Sequence, residues 1–376
     1  MDFINLLGSA WPEGDFWAGL IKFFDVGSYA WTIILFTVIL KLVLSPLDFL
    51  QRYYTNKTSR AQAKLQPELE KLKRRYGQNQ NLFYQKQNEL YQKNNVSMKG
   101  SCIVMLIYLV VTLTVFLTFY SSLQSISGFK IKKQYEQLES TYYNSYETEF
   151  YIEYLGYDEA KIEAFKGQTP EDQQTEVMTL KGISEEEYTQ IKNSYIKNAQ
   201  IAVVNKYSEI KDSFLWIRNI WRPDNAFVDE IANYDDYKAL TGDTKIKKTD
   251  YNLVMGQLLK NYKGSNQVNG YFILAVVVAG VSFFSQWFTR KLSAPKAKNG
   301  ERIVAKQPGM GKTLMFLMPI MMLFFAVTSS SIFSLYIITN TATSTMITPL
   351  TTFICNKIED KKEKKHQEAI KVDYRR

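Results

Sequence analysis

Five apolar runs set in polar sequence constrain this chain more than any other feature: residues 29–50, 103–123, 270–288, 314–328 and 332–354. About 20 apolar residues cross a hydrocarbon core of about 30 Å as a helix. The run 314–328 is short of that and needs a thinned bilayer or cover from protein. Inside lipid, every backbone N–H and C=O must pair within the protein, which leaves helices and closed barrels as spanning structures. Continuous runs of this length predict an all-α integral membrane protein with five transmembrane helices. The mean hydropathy of −0.22 conceals this, because long polar stretches dilute the apolar runs.

Charge orients the spans. Segment 51–100 carries 11 Lys and Arg against 3 acids, 289–313 carries 7 against 1, and 124–268 carries 18 against 23. Short basic loops stay in the cytoplasm, so the N-terminus is expected outside and the C-terminus inside. The expected order is an external segment 1–28, a first span 29–50, a cytoplasmic helical hairpin 51–100 and a second span 103–123. An external, mainly helical insertion 124–268 and a third span 270–288 follow. A cytoplasmic loop 289–313, spans 314–328 and 332–354, and a basic cytoplasmic tail 355–376 complete it. The net charge of +9 reads first as this topology signal, with attraction to anionic lipid or ribosomal RNA secondary. Residues 1–21 contain no Lys or Arg and no small-residue cleavage pattern, so no cleavable signal peptide is expected.

Lys41 is the one basic residue inside the first apolar run. A cation in such a span costs about 2.5–3.5 kcal/mol on insertion scales and usually faces protein or water. The plain alternative is that Lys41 snorkels past Ser45, Pro46 and Asp48 to the headgroups. Residue 41 alone does not decide between them. The fifth run adds a second polar feature: Asn340, Ser344 and Thr348 stand at i, i+4 and i+8, flanked by Thr341, Thr345 and Thr352. Such a stripe serves either helix–helix hydrogen bonding or a wet cavity. Together with Lys41 it favours a hydrated interior, to which Gln286, Thr112, Thr114 and Thr118 could add.

The polar segments have their own patterns. Phe16, Trp17, Leu20, Ile21 and Phe24 follow a helical period opposite Lys22 and Asp25, which suggests a helix in the outer interface. In 51–98, Leu65, Leu69, Leu72 and Tyr76 line one side of a helix, Gly77-Gln78-Asn79 breaks it, and Leu82, Tyr84, Leu90 and Tyr91 line a second. The charge on this hairpin, including Arg60, Lys64, Lys71, Lys73, Arg74 and Arg75, is by default a solvated face, and a docking role is the sharper reading. In the insertion, Thr169-Pro170-Glu171-Asp172 and Ser184-Glu185-Glu186-Glu187 mark helix starts. Its 14 tyrosines among few aliphatic clusters suggest short helices at the membrane surface, with aromatic packing. Both cysteines, Cys102 and Cys355, lie outside the insertion, which therefore has no disulfide.

Catalytic chemistry is not expected. Gly309-Met310-Gly311-Lys312-Thr313 ends like a phosphate-binding loop, but its first glycine would fall on Lys306, and no strand precedes it. His366 is the only histidine, and with two distant cysteines it makes no metal set. No nucleophile–base arrangement is evident, so neither enzyme activity nor a cofactor is expected.

At this point residues 31–51 and 65–102 resemble the YidC-type membrane protein insertases of the Oxa/Alb superfamily. The shared pattern is a basic residue in the first span, a following Pro, Leu65-Gln66-Pro67 opening the hairpin, and Gly100-Ser101-Cys102 entering the next span. Residues 213–225, SFLWIRNIWRPDN, are similar to an external element of that family, and 270–291 and 310–340 to its last three spans. The resemblance implies a membrane insertase and chaperone of the bacterial plasma membrane, in a monoderm member. It implies a cationic, hydrated groove that takes hydrophilic parts of nascent membrane proteins and releases apolar segments into lipid. By the same resemblance Lys41 takes the place of the groove arginine. Gln286, Asn340, Thr341, Ser344 and Thr112 would join it, and the hairpin bases Arg60, Lys64, Lys71, Lys73, Arg74 and Arg75 would recruit substrate. Expected partners are nascent membrane proteins and lipids, with the Sec translocon and ribosome, and no specific nucleic-acid recognition. Three departures stand out. Lys replaces Arg and lacks the planar fork. Tyr108-Leu109-Val110 stands where the family tends to Gln-x-Pro, and the large insertion surrounds 213–225. The runner-up function is a small solute transporter or channel, which would call for paired intramembrane charges or broken helices in symmetric halves. A signalling receptor lacks an output module in the tail.

Overall fold

The computed structural model describes residues 12, 14–94, 99–262, 268–293 and 310–373. Residues 1–11 and 13 of the external segment, 294–309 of the cytoplasmic loop (with Gly309 of the rejected phosphate loop) and the side chain of His366 lie outside them. The regular structure among the described residues is helical. In chain order it comprises α1 (Phe16–Phe23), α2 (Tyr29–Tyr76), α3 (Gln80–Lys93), α4 (Lys99–Tyr146) and a π-helical continuation, Glu147–Tyr154. There follow α5 (Glu159–Lys166), α6 (Pro170–Lys181), α7 (Glu185–Ile210), α8 (Tyr234–Thr241), α9 (Lys248–Asn261), α10 (Ile273–Ser293), α11 (Met310–Thr328) and α12 (Ser331–Asp373). The chain divides into two compact units, Phe23–Ser121 with Leu274–Ala326 and Phe333–Arg376, and Met1–Lys22 with Ser122–Ile273 and Val327–Ile332.

Among the described residues three helices are long and apolar enough to cross a membrane: α2, α4 with its continuation, and α10. α11 offers a shorter apolar stretch, Phe316–Thr328. The expected fifth span lies within α12, where Asn340 and a run of hydroxyls dilute the apolar residues. In α4, Ile103, Leu106, Leu109, Val110, Leu113 and Leu117 are all exposed. In water so large an apolar face would be a liability, but in a bilayer the solvent is itself apolar.

The expected boundaries between spans and soluble segments are not helix ends. α2 carries the first span and the first hairpin arm in one helix, with Pro46 and Pro67 inside it. Proline lacks the N–H that would bond the carbonyl four residues back, here Leu42. The Ser45 hydroxyl donates to that carbonyl at 2.7 Å, so the Ser-Pro pair passes without an unpaired group at this point. The break comes where Gly77-Gln78-Asn79 predicts it. The Gly77 N–H bonds the Lys73 carbonyl at 2.9 Å, and the Asn79 side chain caps α3 by accepting from the Leu82 N–H. Leu65 on the first arm and Tyr91 on the second are buried, whereas Tyr84, expected on the same side, is exposed.

The second unit holds together by aromatic packing, as its composition suggests. Phe150, Leu155, Tyr157, Ile162, Phe165, Val177 and Tyr188 form one core. In a second cluster Tyr135 and Tyr251 stack at 5.0 Å between ring centres, and Tyr237 packs against both. The starts at Thr169 and Ser184 fall as predicted: Thr169 caps α6 with Pro170 in the first turn, and Ser184 and Glu187 form a capping box. The helices are not all short, since α7 has 26 residues.

Residues 213–225 form a hydrogen-bonded knot within this unit. Trp221 is buried, and its indole N–H donates to Asp212 at 2.7 Å. The Asn269 amide donates to the carbonyls of Asn219, Arg222 and Pro223. Ser331 donates to the Arg222 carbonyl through both its N–H and its hydroxyl, and the Ile332 N–H bonds the Ile220 carbonyl. The compact unit that contains the expected insertion 124–268 also takes in Met1–Lys22, 122–123, 269–273 and Val327–Ile332.

Two carboxyls here make stability depend on pH. Burial pushes Glu230 above the usual carboxylate range, against the opposing pull of Lys211 and the Tyr207 hydroxyl. Burial also raises Asp212, opposed by the Trp221 N–H and Lys130. A carboxyl raised in the folded state favours folding below its unfolded value, and that contribution is lost as pH rises through the folded value. Glu230→Gln is expected to raise the melting temperature of the detergent-solubilised protein more at pH 7.5 than at pH 5. An equal shift at the two pH values would contradict this.

Candidate functional site

The site is built on α2, around Lys41. Its side chain is buried, 7 % exposed, and its ammonium meets the Asp48 carboxylate at 2.7 Å, itself 5 % exposed. Seven residues make two helical turns, so both stand on one face, about 10.5 Å apart along the axis. The ammonium reaches towards the carboxylate because the helix runs unbroken through Pro46. Where the sequence suggests a lone cation, the structure has a neutral pair. A buried charge costs several kcal/mol unless paired and hydrogen-bonded, and Asp48 offsets much of that cost for Lys41. Tyr108 of α4 lies within electrostatic reach of Asp48 and of Arg52, one turn further along α2.

Below this pair the polar face continues. Asp48, Arg52, Asn56 and Arg60 follow one another at i+4 along α2, which places them on one side. The Asn56 amide donates to Asn356 at 2.9 Å. Arg60 donates to Asn356 and to Asp360, each at 2.7 Å. Lys362 donates to the Tyr53 hydroxyl at 2.5 Å. Arg52 and Glu359 both lie within electrostatic reach of Cys355. The extension of α12 is thus fastened to the first hairpin arm by a polar seam about 300 residues away in sequence. Sequence periodicity along α2 shows the stripe but not its partner.

The other expected groove residues divide. Thr112 turns its hydroxyl back to the Tyr108 carbonyl of its own helix at 2.7 Å, which satisfies it locally. Gln286, Asn340, Thr341 and Ser344 are half-buried. Their helices α10 and α12 are joined one residue away, where the Thr345 hydroxyl donates to Ser285 at 2.7 Å. Among the described residues no hydrogen bond or ion pair links Lys41 to Gln286, Asn340, Thr341 or Ser344. Missed from sequence were Asp48 and Tyr108 as partners of the site; the seven-residue spacing of Lys41 and Asp48 was the available signal.

The hairpin bases also divide. Arg60 is committed to α12, whereas Lys64, Lys71, Lys73, Arg74 and Arg75 are exposed. Between the arms lies a cavity of about 730 Å³ lined by Lys71, Arg74 and Arg75 of α2 and Lys86 and Lys93 of α3, with Leu72 and Leu90. Glu68 and Glu89 share it, and Lys86 is paired to Glu89 at 2.7 Å. Its net positive lining attracts anionic segments or headgroups.

Comparison with known proteins bears on these same elements. The model of the 60Kd inner membrane protein family matches residues 21–180, which include Lys41, the hairpin and α4. The membrane protein insertase YidC of Fusobacterium nucleatum subsp. nucleatum is 34% identical over 91 residues, 24% of this chain and 42% of that protein. The chain thus spans about two fifths of the length of this curated relative. No solved structure gives a significant match. Over these residues the chain is thus similar to the 60Kd inner membrane protein family and to a YidC membrane protein insertase, and three of its described helices are long and apolar enough to cross a membrane.

Proposed function

We propose that the chain is a membrane protein insertase and chaperone. It takes hydrophilic parts of nascent membrane proteins into a hydrated groove beside Lys41 and releases their apolar segments into lipid. The observation that carries this reading is a buried cation within an apolar helix, in the same unit as the half-buried polar side chains Gln286, Asn340, Thr341 and Ser344. Polar side chains at membrane depth without protein partners are stable where water reaches them, and water lowers the cost of drawing a short polar tail across. The reading takes five spans with the N-terminus outside, α1 in the outer interface, the hairpin recruiting substrate from the cytoplasm, and 124–268 as external insertion. Nascent chains, lipid, the Sec translocon and the ribosome are the proposed partners. Complementation of an insertase-depleted bacterium should succeed with wild type and with Lys41→Arg, and fail with Lys41→Glu. Nascent chains carrying a photo-crosslinker should label positions next to Lys41, Gln286 and Asn340, and absence of labelling would sink the reading.

A second reading, a small solute transporter, is favoured by one observation: Lys41–Asp48 is a paired charge at membrane depth. The pair lies within a single helix rather than between repeated halves. Solute flux in liposomes that disappears with Lys41→Ala would favour it.

A further inference from the structure

We propose that Asp48 sets the substrate specificity of the Lys41 site, as a resident counterion that an acidic residue of the inserting segment replaces; this rests on the insertase reading. The geometry supplies both halves of the exchange. Lys41 has one carboxylate at 2.7 Å, and that carboxylate lies within electrostatic reach of Tyr108, with Arg52 one turn beyond on the same face of α2. When a substrate carboxylate takes the ammonium, Asp48 has the Tyr108 hydroxyl and Arg52 within reach as replacement partners, weaker than the ammonium but enough to make the exchange possible. A buried pair roughly repays its own desolvation, which leaves it open to exchange of one carboxylate for another. A neutral segment offers Lys41 nothing and must leave the resident pair closed. Selection therefore follows the competition between two carboxylates for one ammonium, and specificity is a difference of affinities. Asp48 is a positioning residue in this scheme, acting through Lys41.

The test uses the full chain reconstituted in proteoliposomes and two single-span substrates that differ only in an external tail, one neutral and one with two aspartates. The readout is the ratio of acidic to neutral substrate protected from external protease. Asp48→Asn removes the competitor and should raise the ratio by about tenfold, equivalent to about 1.4 kcal/mol. Tyr108→Phe should lower it, because it removes the hydroxyl within reach of Asp48 on which the displaced carboxylate would rely. Asp48→Glu should return it towards wild type. An unchanged ratio in Asp48→Asn, or an equal loss of both substrates that Asp48→Glu restores, would overturn the proposal while leaving the insertase reading intact. If Asp48→Asn fails to accumulate, Tyr108→Phe decides: a lower ratio supports the proposal and an unchanged one overturns it. Wild type that inserts neither substrate would sink the insertase reading and this proposal with it.

Discussion

Lys41→Ala is expected to destabilise the protein by about 3–5 kcal/mol, the cost of removing one partner from a buried ion pair. The loss comes from what remains. Asp48 is 5 % exposed and would lose the ammonium at 2.7 Å, with Tyr108 and Arg52 left as weaker partners. Thermal unfolding of the detergent-solubilised protein reads this directly. Lys41→Met combined with Asp48→Leu should be less destabilised than Lys41→Met alone, since the double variant leaves no charge stranded. Strict additivity of the two changes would show that the pair is not coupled. Lys41→Arg keeps the charge and should lie nearest to wild type, although its fork fits a single carboxylate differently from an ammonium.

Gly270→Ala should be nearly as damaging, for a steric reason. A Cβ on Gly270 would lie 1.8 Å from Asp224 Oδ1 and 2.9 Å from its backbone Cα. Asp224 is fully buried and cannot swing aside freely, because its carboxylate accepts the Tyr271 N–H at 2.7 Å and the Trp216 indole N–H. Overpacking and a broken hydrogen bond to a charged group together cost about 3 kcal/mol or more. A blue-shifted or broadened tryptophan melt at lower temperature would register it through Trp216 and Trp221. Gly280→Ala is the control: it lies within α10 with nothing within 4 Å, and should be neutral or stabilising by up to about 1 kcal/mol. Equal melting temperatures for the two variants would contradict the close approach at Gly270.

Local features were read from the sequence where their cause is local. The hairpin turn at Gly77–Asn79 and the caps at Thr169 and Ser184 depend on a few neighbouring residues, and each stands where its pattern puts it. Aromatic packing of the insertion followed from its composition. The span boundaries were less legible, because a change from apolar to polar side chains does not end a helix. α2 and α4 therefore pass from one environment to another without interruption. Polarity and the resemblance point to Thr112 as a groove contact, but neither shows that a hydroxyl in a helix can bond the preceding turn, as this one does with the Tyr108 carbonyl.

By itself the sequence determined that this is an all-helical membrane chain with a basic hairpin and a cation in its first apolar run. Hydrophobic length, charge asymmetry and helix punctuation are properties of contiguous residues. Only the tertiary structure decided that the cation is one half of a pair with Asp48. It also decided that Arg60 is engaged by Asp360, and that Val327–Ile332 pack in one compact unit with Ser122–Ile273. Those outcomes depend on which faces of distant helices meet, and on an unbroken helix through Pro46. The Ser45 hydroxyl permits that continuity, and no count of residues reveals it.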